Sequence, residues 1–258
     1  MAGELRIGCS GWSYAHWRGR FYPDKMPARE HFNFYAQHFD TVELNNSFYR
    51  QPPRERFAAW AQQAPPNFLF AVKASRYVSH IKRMAVEQKS IDLVVEPAEA
   101  LGTRLGPFLF QFQGNFQLDL PRLAAFLLML PARHRHTLEF RHDSWLIPAV
   151  FDLLRQHRVA LCIPDHPKMP QSLELTADFT YVRFHLGDRG IGYRRAALET
   201  WAERVRRWRQ DGLDVFLYFN NDMEGHAIKD GHALQRMLGV EREGRDSNPG
   251  TGNNRSSA

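Results

Sequence analysis

The chain has 258 residues, of which 43% are hydrophobic, and its 34 Lys and Arg against 28 Asp and Glu give a formal net charge of +6. A chain of this length and composition buries one large core and forms one domain by default. No apolar run reaches the roughly 18 residues of a membrane-spanning helix, and the first residues lack the regions of a signal peptide. We therefore expect a cytoplasmic protein without membrane association, and the positive charge favours anionic partners in general.

Short β-rich runs and helix-forming segments alternate along the chain. Strands are predicted, in chain order, at ELRIGCS, DTVELN, FLFAVK, GPFLFQF, HTLEFR, VALCI, TYVRFH and DVFLYFN. Helices are predicted at Ala28–Phe39, Arg54–Gln63, Ile91–Leu101, Pro121–Leu130, Trp145–His157, Arg194–Gln210 and His226–Leu238. The link PDHPKMPQ after the sixth strand contains too many prolines to predict a helix.

This alternation predicts an α/β fold with a parallel sheet, and about eight units favour a single (β/α)8 TIM barrel over an open doubly wound sheet. The barrel domain is expected to cover residues 1–240. Residues 241–258 are polar and rich in Gly, Ser and Asn, which predicts a disordered tail. Cys9 and Cys162 lie in short apolar segments without metal-ligand spacing, so we expect two reduced core thiols.

Polar residues occur in pairs at the ends of several predicted strands. In HTLEFR, Glu139 and Arg141 are two residues apart and therefore point to one face of the strand. The outer face of a barrel strand must be apolar to receive helices, so such side chains point inward or lie at the rim, at the end where TIM barrels hold their active sites. The other members of this predicted polar pocket are Glu43, Asn45, Lys73, Gln111, Arg183, His185, Tyr218 and Asn220.

Ordered motifs along the chain resemble one known family. The motifs GCSGWSYAHWRGRFYP, TVELNNSFYRQP, FAVKASRYVSHIKR, GPFLFQF, LEFRHDSW, YVRFH and YFNNDMEGHA resemble those of the domain-of-unknown-function 72 family, also called YecE-like or UPF0759, from Ile7 to about Leu238. The resemblance implies a TIM barrel and a described relationship to sugar isomerases, without an established reaction. The chain departs from the family pattern at Cys9, where threonine is common, and at Leu186, which intervenes before Gly187.

The pocket offers candidate proton carriers and candidate binding groups. Glu43, Glu139 and His185 are the predicted catalytic residues, because enclosed carboxylates and imidazoles are tuned toward neutral pKa by their surroundings. The alternative for each glutamate is an ion-pair role, Glu43 with Lys73 and Glu139 with Arg141 or Arg183, up to a purely structural network that fills the barrel. The predicted substrate-binding residues are Ser10, Trp12, Tyr14, Asn45, Tyr49, Lys73, His80, Gln111, Arg141, Arg183, Asn220, Asp222 and His226.

Two features of this set suggest the ligand. Lys73, Arg141 and Arg183 outnumber the two glutamates, so the pocket is expected to be electropositive and to suit carboxylate or phosphate. The glycine-rich segment LGDRGIGYRR follows the seventh strand, where TIM barrels often hold phosphate. The aromatic loop residues, among them Trp12, Tyr14 and Tyr49, form either a stacking wall for a sugar ring or base, or a cap on the core.

The leading hypothesis is therefore an enzyme that performs acid/base chemistry, of isomerase or hydrolase type, on a small anionic, sugar-like or phosphorylated molecule. No cofactor is predicted. One alternative is a sugar-isomerase-like enzyme with a divalent metal on Glu43, Glu139, His185 and Asp222, although the nearby cations disfavour a dication. Others are a nucleic-acid-binding or base-processing barrel and a ligand-sensing barrel without turnover. The sequence leaves the oligomeric state undecided.

Overall fold

The structure is a computed structural model that describes residues 1–185 and 192–242. Its centre is a closed barrel of eight parallel strands, each paired with its neighbours in the sequence and the last with the first. The strands are β1 (Leu5–Cys9), β2 (Thr41–Leu44), β3 (Leu69–Lys73), β4 (Leu105–Gln111), β5 (His136–Glu139), β6 (Ala160–Asp165), β7 (Phe179–Phe184) and β8 (Asp214–Phe219). The predicted single (β/α)8 TIM barrel is confirmed.

Helices surround the barrel. They are α1 (His31–His38), α2 (Asn46–Tyr49), α3 (Arg54–Gln63), α4 (Gln88–Ala98), α5 (Leu120–Met129), α6 (Pro148–Gln156), α7 (Arg195–Gln210) and α8 (His226–Leu238). Single turns of 3-10 helix lie at Ala15–Trp17, Ala28–Glu30, Asp143–Trp145 and Met223–Gly225, a longer one at Glu99–Arg104, and a π-helical turn at Tyr77–Ile81. Residues 166–178 between β6 and β7 contain no helix, as the prolines predicted.

Strand alternation divides the core into two layers. Phe70 and Val72 of β3 belong to the large cluster between sheet and helices, whereas Ala71 between them belongs to a smaller cluster inside the barrel. The inner cluster also includes Leu109, Cys162, Tyr181 and Tyr218. Because successive side chains of a strand point to opposite faces, residues two positions beyond these also point inward. This parity places Lys73 after Ala71 and Arg183 after Tyr181 on the inner face.

Cys9 and Cys162 are both free and buried, which confirms two core thiols. Residues 243–258, most of the predicted tail, lie outside the described residues. Within the described part of the chain, no helix is both long and apolar enough to cross a membrane.

Candidate functional site

Charged side chains lie at the carboxyl end of the barrel with almost no contact with solvent. Glu43 of β2 and Glu139 of β5 are 0% exposed, and Arg183 of β7 is 1% exposed. Removing three charged groups from water costs several kcal/mol for each ion unless they are paired and hydrogen-bonded, by the order of magnitude known for buried ions. The local geometry must therefore satisfy all three.

Arg183 spans the barrel and connects the two carboxylates. Its Nε lies 2.9 Å from Oε2 of Glu43 and its Nη2 lies 2.8 Å from Oε1 of the same residue, which is a bidentate pair. Its Nη1 lies 2.7 Å from Oε2 of Glu139. The planar guanidinium has donors on three separate nitrogens, so this one arginine binds both carboxylates at once.

Neighbouring groups complete the hydrogen bonds of both glutamates. Glu43 also accepts from Ser10 Oγ at 2.8 Å and from the hydroxyl of Tyr181 at 2.7 Å. Glu139 also accepts from Arg141 Nε at 2.6 Å, and Sγ of Cys162 lies 3.8 Å from its second oxygen. We call Ser10, Glu43, Glu139, Arg141, Tyr181 and Arg183 the buried ion network.

The network keeps both carboxyl groups ionised. Burial alone would raise the pKa of Glu43 and Glu139, but the charge of Arg183, with Lys73 near Glu43 and Arg141 near Glu139, holds both below the usual range. Glu139 therefore has the arginine partners expected for an ion-pair role, whereas the partner of Glu43 is Arg183 and not the expected Lys73. The proton-carrying roles of both glutamates stay predictions.

We expect the pH dependence of stability to report this pairing. A carboxyl group whose pKa in the fold is below the ordinary value of 4.5 contributes its full stabilisation above that pH and loses it as the pH falls. The loss of unfolding free energy caused by Glu139→Gln should shrink by about 1.4 kcal/mol for each pH unit below roughly 4.5. Urea denaturation of both proteins from neutral to acidic pH measures it.

The control for this measurement is Glu174→Gln, which removes one member of a partly exposed ion pair with Arg155. It should change the unfolding free energy by less than about 1 kcal/mol at every pH. A loss for Glu139→Gln that is equally large at every pH would contradict a lowered pKa of Glu139.

Arg141 of this network and two further predicted residues, Gln111 and Lys73, lie at the rim of the network. We call this rim the mouth. Only Nε of Arg141 is bonded to Glu139, and within residues 1–185 and 192–242 its two terminal nitrogens have no hydrogen-bond partner. The amide of Gln111, at the end of β4, makes no hydrogen bond within the same residues. Nζ of Lys73 lies 4.3 Å from the ring centroid of Phe48. These three groups are polar donors without a hydrogen-bond partner within the described residues, and they could bind a ligand.

His185, directly after β7, is held as a neutral imidazole. Its Nδ1 lies 3.1 Å from the amide nitrogen of Asn220, which only donates, so Nδ1 accepts and Nε2 bears the hydrogen. Burial and the charge of Arg183 lower the pKa of His185 to about 3. The Nε2–H group is buried and has no partner in the described part of the chain. The ring is therefore a neutral hydrogen-bond donor at neutral pH.

The other predicted residues of the loops after β2 and β3 surround Phe48. The ring of His80 lies 4.8 Å from that of Phe48, and burial together with the charge of Lys73 lowers the pKa of His80 to about 4. Oδ1 of Asn45 is buried without a partner among the described residues. Tyr49 is 75% exposed. These loops therefore place aromatic and polar groups beside Lys73.

The predicted aromatic residues of the β1 loop lie mainly in the structural layers. Trp12 packs edge-on against Phe32 of α1 and Trp60 of α3, with ring centroids 5.2 and 5.7 Å apart. The hydroxyl of Tyr14 donates to the backbone oxygen of Ser10. These contacts favour the cap over the stacking wall for both residues.

Asp222 and His226 lie where the loop after β8 meets other loops. The backbone oxygen of Asp222 accepts from Nε1 of Trp17 at 2.9 Å, and its side chain makes no capping hydrogen bond. His226 begins α8, with its ring against Gly192. Neither residue contacts the buried ion network through a described hydrogen bond.

The proposed metal ligands do not form a metal-binding group. Among residues 1–185 and 192–242, no three His, Cys, Asp or Glu side chains are placed to share a metal ion. Glu43 and Glu139 are bonded to guanidinium groups, and a dication would have to displace these cations. The donor set therefore does not fit a divalent metal. Residues 186–191 of the predicted phosphate loop lie outside the described residues.

Two residues that contact the glutamates had no site role predicted from the sequence: Tyr181 donates to Glu43, and Cys162 faces Glu139. Phe48, one of the aromatic loop residues expected to form a stacking wall or a cap, lies against Lys73. The role of Tyr181 could have been predicted from the sequence, because it lies two residues before Arg183 on the same strand and so points to the same face. The positions of Cys162 and Phe48 depend on contacts across the barrel and between loops.

Comparisons with known proteins agree with this architecture. Residues 6–254 match the family described as "Protein of unknown function DUF72". The chain is 26% identical over 281 residues to UPF0759 protein YunF of Bacillus subtilis (strain 168), covering 93% of this chain and 96% of that one. UPF0759 protein YecE of Escherichia coli (strain K12) is 27% identical over 205 residues, covering 68% and 74%.

A solved structure gives the same result. The crystal structure of a DUF72 family protein from Thermotoga maritima MSB8 superposes with a TM-score of 0.81 at 26% identity, over 92% of this chain and 99% of that one. The family match covers every residue of the buried ion network and of the mouth, as the resemblance of the motifs implied. The chain belongs to the DUF72 family.

Proposed function

We propose that this protein is an enzyme that binds a small anionic molecule, sugar-like or phosphorylated, at the mouth and performs acid/base chemistry of isomerase or hydrolase type on it. The observation on which the proposal depends is the charge left over at the mouth. Two carboxylates are bonded to Arg183 and Arg141, and Lys73 has no carboxylate within 4.0 Å among the described residues. The excess positive charge therefore belongs to Lys73.

The available donors suit an anion. The terminal nitrogens of Arg141 offer the planar fork that matches a carboxylate or phosphate, and Lys73 adds a compact charge. Gln111 supplies a neutral amide from β4, which lies between β3 and β5. The buried ion network holds Arg141 in place, because Glu139 accepts a hydrogen bond from its Nε and leaves its two terminal nitrogens available to a ligand. A preorganised donor set of this kind stabilises negative charge that develops during a reaction.

The geometry supports different roles for the two glutamates and for His185. Both oxygens of Glu43 and both oxygens of Glu139 accept hydrogen bonds within the described residues, which supports a positioning role toward Arg183 and Arg141. His185 has a buried donor without a partner and stays neutral, which supports hydrogen-bond donation or proton transfer to a substrate oxygen. We assign proton transfer to His185 and anion binding to Lys73, Arg141 and Gln111.

The binding half of the proposal is tested with inorganic phosphate. Lys73→Met and Arg141→Met should each weaken phosphate binding at least about tenfold, because each removes a charge-assisted hydrogen bond of about 1.5–3 kcal/mol. Isothermal titration calorimetry measures the affinity. The matched control is Lys82→Met, which removes an exposed lysine from the loop after β3. Equal phosphate affinity in all four proteins would contradict an anion site at the mouth.

A second candidate function has its own observation. Tyr49 and Tyr77 are 75% and 44% exposed on the loops after β2 and β3, and Nζ of Lys82 lies 5.8 Å from the ring centroid of Tyr77. Exposed aromatic rings beside basic groups are typical of surfaces that stack nucleobases. In the same titrations, a single-stranded oligonucleotide that binds more tightly than phosphate, is lost in Lys82→Met and weakens steeply with salt would favour this reading.

A further inference from the structure

Lys73 differs from the other cations of the mouth in its surroundings. It ends β3, and its backbone oxygen accepts from Ser47 Oγ at 2.6 Å, which fixes the chain at this point. Its Nζ lies over the ring of Phe48 and makes neither an ion pair nor a hydrogen bond within the described residues. The amine therefore lies over an aromatic ring, which attracts an ammonium ion only weakly, and no carboxylate or other hydrogen-bond acceptor among the described residues holds its proton.

Lys73 is also the one cation of this set that can lose its proton. The guanidinium groups of Arg141 and Arg183 stay protonated in proteins, whereas an amine deprotonates when it is buried or placed beside other positive charges. Both conditions hold here. Burial and the charge of Arg183 lower the pKa of Lys73 to about 8, against the opposing effect of Glu43 and Glu139. Roughly one molecule in ten then has a neutral amine at pH 7.

We propose that Lys73 forms a covalent imine with the carbonyl group of an anionic substrate. The neutral amine attacks the carbonyl carbon, the carbonyl oxygen takes up the two amine protons and leaves as water, and a carbon–nitrogen double bond replaces the carbon–oxygen one. The step needs neither an oxidant nor a reductant. A desolvated lysine beside another cation is the arrangement that activates such an amine. This inference rests on the proposed anion site.

The inference narrows the substrate class to an anionic aldehyde or ketone, such as an oxo acid or the open-chain form of a sugar phosphate. The carboxylate or phosphate would bind the free nitrogens of Arg141 while the carbonyl meets Lys73. A protonated imine withdraws electrons more strongly than a carbonyl, so a hydrogen on the neighbouring carbon becomes acidic. That is the requirement for isomerisation, and His80, which lies against the same Phe48 ring, is a neutral base on this side of the mouth.

The test is trapping of the imine in the unmodified full chain. Glyoxylate, an anionic aldehyde, and glycolaldehyde, an uncharged one of similar size, are each added with cyanoborohydride, which reduces an imine to a stable secondary amine. Peptide mass spectrometry then measures the rate of modification at each lysine. With glyoxylate near neutral pH, Lys73 should react at least about tenfold faster than the exposed Lys25 and Lys82, because more of its amine is neutral.

Two comparisons make the result specific to the mouth. The preference for Lys73 should be smaller with glycolaldehyde, and excess phosphate or the substitution Arg141→Met should slow the glyoxylate reaction at Lys73 without slowing it at Lys25. Lys73→Arg, which keeps the charge, should abolish the adduct on this peptide.

The trapping and phosphate-binding experiments together distinguish a failure of the imine from a failure of the anion site. If Lys73 reacts no faster than Lys25 while phosphate binds the mouth, the imine is overturned and the anion site stands. If Lys73 reacts rapidly with both aldehydes to the same extent and phosphate does not bind, the amine is reactive but the anionic substrate class is overturned.

Discussion

Arg183→Met should lower the free energy of unfolding by about 3–5 kcal/mol or more, which is the loss measured when one partner of a buried ion pair is removed. Glu43 and Glu139 would both lose their shared cation while 0% exposed. Glu43 would keep only Ser10 and Tyr181, and Glu139 would keep Arg141. For a domain of ordinary stability, about 5–15 kcal/mol, this is a large part of the total. Urea denaturation at neutral pH measures the loss.

Two further variants separate charge from packing. If the loss comes from unpaired carboxylates, adding Glu43→Gln and Glu139→Gln to Arg183→Met should restore much of the stability, because no buried charge then remains without a partner at those positions. Arg155→Met, which removes a partly exposed arginine paired with Asp152 and Glu174, should cost less than about 1 kcal/mol. A triple variant as unstable as Arg183→Met alone would show that the arginine acts through packing instead.

The sign of the pH dependence gives an independent check on the same variant. Without Arg183 the buried carboxyl groups have a raised pKa in the fold, so they favour the folded state below their unfolded pKa and disfavour it as the pH rises. The difference in stability between the parent and Arg183→Met should therefore narrow on acidification.

His185→Gln should reduce turnover by about 10²–10⁴-fold, the usual contribution of a general acid or base, while leaving phosphate affinity within a few-fold of the parent. The reason is that the Nε2–H group of His185 has no structural partner among the described residues, whereas we assign anion binding to Lys73 and Arg141. ¹H NMR spectra of a panel of sugar phosphates in D2O report both expected reaction types. Isomerisation incorporates deuterium beside the carbonyl group, and hydrolysis releases products.

The matched control is His157→Gln, at the end of α6 and toward the opposite face of the barrel, where active sites are not expected. It should leave turnover unchanged. Turnover that survives in His185→Gln would overturn the role of His185. A parent protein that binds phosphate but transforms no member of the panel would favour the ligand-sensing barrel over the enzyme.

The order and parity of the strands could be derived from the sequence because they depend on local rules. Eight β-rich runs alternate with helices, and a period of two residues fixes which side chains share a face. This was sufficient to place Glu43, Lys73, Glu139 and Arg183 on the inner face at one end of the barrel. It was also sufficient to predict the missing helix between β6 and β7, since prolines act through their own backbone geometry.

The contacts of Trp12 could not be predicted from the local sequence. The sequence placed it in a loop at the active-site end, where a stacking wall and a cap were both consistent with its chemistry. Its actual neighbours, Phe32 and Trp60, come from α1 and α3, and their approach depends on how these helices pack on the sheet. No spacing within the loop contains that information.

By itself, the sequence determined the fold and the set of charged residues that meet inside it. Only the tertiary structure decided which cation pairs with which carboxylate. The side chain of Arg183 on β7 reaches Glu43 on β2 and Glu139 on β5 across the barrel, and no local sequence pattern specifies the distances between these strands. Arg183 binds both carboxylates because its donors are spread over three nitrogens of a planar group, whereas all the donors of Lys73 lie on one nitrogen. That competition leaves Lys73 as the unpaired amine of the mouth within the described residues.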